Sequence, residues 1–181
     1  GKNWVGAEAD VSIRKGWFFH PGEDSTVKSG ATLFNLYLKS VGRGGNMLLN
    51  VPPNRAGLIS SVDSAALMNF KKIREEAFAS NVLKGANILT TKDFIEIHLA
   101  NEVSLNTLVL KEKITWGQRV VRFEISGGND LKKFDPIVSG TTIGHKRILQ
   151  FPTQKLKYLR IQFTQYKAIP IMGDTEGYLA P

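Results

Sequence analysis

The sequence predicts an α/β unit followed by an all-β unit, the second an antiparallel sandwich or jelly roll. Three observations carry this. Before residue 80, apolar residues run in the order strand, helix, strand, helix. After it they fall only into short stretches of period two. Between the two regimes lies residues 80–86, SNVLKGA, with the composition of a linker. The expected division is therefore 1–80 and 81–181, and 181 residues suffice for one large domain or two small ones.

Val11 and Ile13 alternate with Ser12 and Arg14, which predicts a short strand that Gly16 breaks. In 31–41, Leu33, Leu36, Tyr37, Leu38 and Val41 recur at helical spacing, and Gly42, Gly44 and Gly45 stop the helix. The run 46–51, NMLLNV, is bounded by Gly45 and Pro52-Pro53 and suits a strand buried on both faces of a parallel sheet. Residues 60–79 form the clearest helix. Ser60 and Asp63 have capping-box spacing, and Val62, Ala66, Leu67, Phe70, Ile73, Ala77 and Phe78 make its buried stripe. Beyond the linker, strands are expected at 94–99, 105–110, 119–125 and 158–163, punctuated by Gly127-Gly128-Asn129-Asp130 and Gly140.

Composition removes several classes. No apolar run approaches the roughly 18–20 residues that span a membrane as a helix. The absence of cysteine excludes a disulfide scaffold, a thiolate zinc site and a thiol nucleophile. Lys plus Arg is 24 against 16 Asp plus Glu, a net charge of +8. The basic residues are scattered singly or in pairs, so neither a nucleic-acid partner nor a membrane surface is expected. His20, His98 and His145 show no metal-ligand spacing, and no metal or cofactor is expected.

The most site-like stretch is residues 4–24, WVGAEADVSIRKGWFFHPGED, with aromatic rings beside carboxylates, an arginine and a histidine. Ring faces stack on the C–H patches of a sugar while charged groups hold its hydroxyls. Glu8 and Asp10 are paired carboxylates on one strand face, as glycoside hydrolysis uses. A core tryptophan with solvated acids is the plainer alternative.

Taken in order, three motifs resemble the C-terminal part of a family 29 α-L-fucosidase, of the branch acting on α-1,3/1,4-linked fucose. They are Trp4 to Pro21, Tyr37 to Ile59, and Gly140 to Leu149 preceded by Trp116-Gly117-Gln118-Arg119-Val120. The resemblance implies that 1–80 is the C-terminal portion of a (β/α)8-like barrel and 81–181 a discoidin-like antiparallel β-sandwich. It implies retaining hydrolysis by an Asp nucleophile and a Glu acid/base, both in segments expected upstream of Gly1, so this chain alone should be inactive. Trp17 matches the position that packs on the fucose ring, Glu8 an acidic position near the sugar, and Arg14 and His20, in the same motif, are further substrate-binding candidates that would shape the pocket. The implied partners are a fucosylated oligosaccharide or glycoconjugate and the missing N-terminal barrel portion, in the same or another chain. The implied location is secreted or periplasmic. The family's sandwich has a longer stretch where only Leu89 to Asp93 stand here between Ile88 and Phe94. A non-catalytic carbohydrate-binding sandwich is the alternative reading.

Overall fold

The computed structural model describes residues 5–181, in two compact units, Gly1–Glu76 and Ala77–Pro181. Trp4, which opens the first motif, lies outside the described residues.

The first unit runs β1 (Glu8–Ser12), a 3-10 turn (Pro21–Thr26), α1 (Gly30–Ser40), β2 (Asn46–Asn50) and α2 (Ser61–Ala77). β1 and β2 pair in parallel, from Glu8 opposite Asn46 to Ser12 opposite Asn50. Side chains alternate, so Glu8, Asp10 and Ser12 share one face with Asn46, Leu48 and Asn50. That face is open, and Leu48 on it is exposed, which corrects the expectation of a strand covered on both sides. The core of this unit gathers on Ile13 and Leu33, both fully buried. Ser29 begins α1 by accepting the Thr32 N–H at 3.2 Å. Gly44, at φ 85°, ends the 3-10 turn that follows α1 and leads into β2. Gly30 lets α1 lie against α2, because a Cβ there would stand 2.7 Å from the Phe70 nitrogen.

Two details of α2 differ from expectation. Val62 is exposed, and Ala66, Leu67, Phe70 and Ile73 are half-buried, so the apolar stripe is only partly covered. The capping box is half-formed. Ser60 Oγ accepts the Asp63 N–H at 3.2 Å, but the Asp63 carboxylate accepts from Arg14, a stronger charged donor.

The second unit contains β3 (Asn87–Thr90), β4 (Phe94–Glu112), β5 (Val120–Asp130), β6 (Lys133–Thr141), β7 (Arg147–Tyr166) and β8 (Met172–Tyr178). The order is β3-β4-β7-β5-β6, with β8 on β4, all pairs antiparallel. The stretches 94–99 and 105–110 belong to one strand, and 158–163 is part of another of 20 residues. Register shifts between His98 and Val103 and between Leu105 and Thr107 bend β4. Its first half pairs with β3 and the end of β7, its second half with β8 and the start of β7. Long strands that change layer at such bends make a two-layered sandwich from one hydrogen-bonded sheet. Ile95, Ile97, Phe123, Ile125, Leu159, Ile161 and Phe163 fill its core.

Gly140 does not end a strand; it sits inside β6 over the Phe123 ring, whose Cζ a Cβ would meet at 2.6 Å. The segment read as a linker is built into the sandwich. Leu83 joins the core, and Asn81 Oδ1 accepts the N–H groups of Leu83 and Gly177 at 3.0 Å each. Leu89 to Asp93 close a β3–β4 hairpin, with Thr91 N–H donating to the Phe94 carbonyl at 2.9 Å.

Candidate functional site

The loop after β1, Lys15 to His20, stands at the C-terminal ends of both parallel strands, where α/β folds place their ligands. Its fixing points are specific. Ser12 Oγ donates to the Gly16 carbonyl at 2.6 Å. Asn50, closing β2, donates from Nδ2 to the Trp17 carbonyl at 2.8 Å and to Ser12 Oγ at 3.2 Å. Lys28 Nζ donates to the Ser12 and Arg14 carbonyls at 2.6 and 3.1 Å. With its backbone held, Trp17 presents a ring side chain that is 48% exposed. A half-exposed, backbone-anchored indole is a stacking platform that loses little conformational entropy on binding.

Glu8 and Asp10 are both exposed on the open face that leads up β1 toward this loop. The strand rise sets their Cα atoms about 6.6 Å apart. His20 is exposed at the end of the loop and starts the 3-10 turn, its carbonyl accepting the Glu23 N–H at 3.1 Å. Glu8, Trp17 and His20 therefore all meet solvent from this strand and its loop.

Arg14 does not. Its side chain is 0% exposed, so it sits inside the unit where Glu8, Trp17 and His20 meet solvent. Nε donates to Asp63 Oδ2 at 3.0 Å, and Nη2 to Asp24 Oδ1 at 2.8 Å and Ser60 Oγ at 3.0 Å. The guanidinium also lies 4.7 Å from the centre of the Phe19 ring. Burial opposes its charge, but the bonds to Asp24 and Asp63 outweigh that and hold its pKa above the ordinary arginine value. Arg14 thus ties the aromatic loop to the 3-10 turn and to the N-terminus of α2. Asp24 and Asp63 escaped the sequence reading as its partners. Asp24 was one of four acids in a dense stretch, and Asp63 had a local explanation as a capping residue.

Among the described residues no group of three or more His, Asp or Glu is placed to hold a metal ion.

Comparison with known proteins agrees with the motifs. Residues 3–72 match the family model described as Alpha-L-fucosidase. Alpha-L-fucosidase 1 of Arabidopsis thaliana is 33% identical over 183 residues, spanning 83% of this chain and 36% of that protein. A glycoside hydrolase 29 family member from an unknown rumen bacterium superposes with a TM-score of 0.92 at 35% identity, over 100% of this chain and 34% of that one. The chain matches the C-terminal part of family 29 α-L-fucosidases. It spans less than half the length of these relatives. A Ruminococcus gnavus family 29 fucosidase solved in complex with fucose shares the fold, with a TM-score of 0.85 at 23% identity. The match covers the sandwich as well as the first unit, since these structures align over the whole chain.

Proposed function

We propose that this chain supplies one wall of the fucose pocket of a retaining α-L-fucosidase that removes α-1,3/1,4-linked fucose from glycans. The observation that carries this is the anchored, half-exposed Trp17 at the C-terminal ends of two parallel strands, with Glu8 on the open face below it. The indole stacks on the apolar face of fucose, and Glu8 accepts from a sugar hydroxyl. His20 borders the same loop. Arg14 positions the loop without touching sugar.

In this reading the Asp nucleophile and the Glu acid/base belong to a barrel portion outside these residues, in the same or another polypeptide. The first unit fits such a completion. Its sheet has two strands among the described residues, both edges of that pair are unpaired, and the polar face is open. A two-stranded sheet is marginal alone, whereas further parallel strands would close a barrel around that face. The reading places the enzyme in a secreted or periplasmic setting, where fucosylated glycoconjugates are met.

Calorimetric titration of the chain with L-fucose tests the wall. Heat that falls in Trp17→Ala is expected; a titration left unchanged by the substitution would overturn the assignment. The chain alone should release no nitrophenol from a nitrophenyl α-L-fucoside. Hydrolysis by a chain of verified mass would show that the catalytic pair lies within it. The completed enzyme should release fucose from α-1,3- and α-1,4-fucosylated trisaccharides and spare the α-1,2 isomer.

A further inference from the structure

The outer surface of the sandwich carries a second feature, away from the Trp17 loop in sequence and built only from the second unit. Side chains facing away from the core form aligned rows across four strands. One row is Phe94, Gln162, Glu124 and Ser139; the next is Glu96, Arg160, Ser126 and Pro136. Between β7, β5 and β6 these rows line a cavity of about 630 Å³, with Phe134 and Pro136 as its apolar wall. A second cavity of about 370 Å³ continues along β5 and β6 and shares Glu124 and Ser139 with the first. The two make one trough with Glu124 at its middle.

The trough is built in a way that a merely solvated face does not require. Arg160 is held by Glu96, which is 6% exposed and accepts from Arg160 Nε at 2.8 Å and from His98 Nε2–H at 2.6 Å. Burying a carboxylate costs free energy that a surface pair would avoid. The guanidinium is also stacked between the Phe134 and Phe94 rings, at 4.3 and 5.1 Å from their centres. Arg160 is thus immobilised before any ligand arrives, which lowers the entropy cost of binding. Glu124, by contrast, is exposed and makes no ion pair among the described residues.

We infer that this trough, formed by Glu124, Ser126, Phe134, Ser139, Arg160 and Gln162, binds a neutral pyranose of an oligosaccharide chain. Phe134 and Pro136 take the C–H face of the ring, and the Glu124 carboxylate accepts from two adjacent hydroxyls. Ser139, Ser126 and the Gln162 amide oxygen complete the polar edge. Within the larger cavity Glu124 would repel an anionic sugar and the charge of Arg160 is already matched by Glu96, whereas Arg122 and Arg147 line only the smaller one. The site extends the fucosidase reading by giving the sandwich an attachment point of its own for a glycan, and it can fail independently of that reading.

The test uses the whole chain, uniformly labelled with ¹⁵N, titrated with lacto-N-tetraose and with its fucosylated form. Saturable shifts at the amides of Glu124, Ser126, Ser139 and Gln162 are expected, and they should persist in Trp17→Ala. Glu124→Gln and Ser139→Ala are surface changes that keep the fold; the first should weaken binding roughly tenfold, as the loss of a charge-assisted bond does. A Glu124→Gln chain that binds as tightly as wild type would overturn the site. Shifts confined to the Trp17 loop would overturn it too, while leaving the fucose wall intact.

Discussion

Arg14 shows how one buried side chain can determine the geometry of an exposed one. Its guanidinium bonds Asp24, Asp63 and Ser60 at once, so its removal leaves Asp63 buried without a countercharge. Arg14→Ala should lower the stability of the first unit by about 3–5 kcal/mol, read as a shift of its denaturant midpoint. Arg14→Lys should recover little of this, because an ammonium cannot bridge two carboxylates in a planar fork. Trp17→Ala makes the opposite prediction. The ring is half-exposed, so stability should change by less than about 1 kcal/mol while fucose binding falls. The sequence placed Arg14 and Trp17 in one motif but could not separate their roles. Arg14 stands at the polar position of an alternating strand and Trp17 among aromatic residues beyond Gly16, and only the packing of Asp24 and Asp63 around Arg14 shows that it is the one turned inside.

At the scale of the element, β6 is held to β5 by its ladder and by the absence of a side chain at Gly140. A Cβ at that position collides with the Phe123 ring, itself 1% exposed in the core. Gly140→Ala should destabilise the sandwich by about 1–3 kcal/mol, measured by thermal unfolding, as overpacking does. The same glycine looked like a strand terminator in the sequence, since a turn and a close approach both select glycine. Period two located the strand centres at Ile95, Ile97, Phe123, Ile125, Leu159 and Ile161 correctly, because alternation is a local consequence of the pleat. It did not reveal that 94–99 and 105–110 form one strand. The irregularity between His98 and Val103 interrupts the alternation and looks like a turn.

For the whole molecule, the two units differ in how much they bury. Among the described residues the first unit fully covers only Ile13 and Leu33 among its large hydrophobic side chains, whereas the sandwich encloses a continuous core from Leu83 to Phe163. Amides of β1 and β2 should therefore exchange with deuterium well before those of β4, β5 and β7. The sandwich should also respond to pH at both ends. Burial raises the pKa of Glu96, but hydrogen bonds from His98 and Arg160 outweigh it and hold it below the ordinary value. Its contribution is complete above that ordinary value and is lost as pH falls through the lowered one, so Glu96→Gln should flatten the acid limb of a stability profile. Burial, and then the bond to Glu176, push the Tyr178 hydroxyl up to about 12 from 10.0. Its contribution is intact below 10.0 and disappears as pH rises through about 12, and Tyr178→Phe should remove that alkaline dependence.

The sequence by itself determined the α/β-then-β order, the helices over α1 and α2, the family motifs and the loop that carries Trp17. These depend on interactions between near neighbours: periodicity, capping and turn residues. The tertiary structure alone decided that Arg14 is internal, that residues 80–86 belong to the sandwich, and that Glu124, Phe134 and Arg160 meet in one trough. Those facts arise between residues far apart in the chain. Arg14 meets Asp63 across α1 and β2, and Arg160 reaches Phe134 through two strand pairings. Local pattern carries no record of such distances.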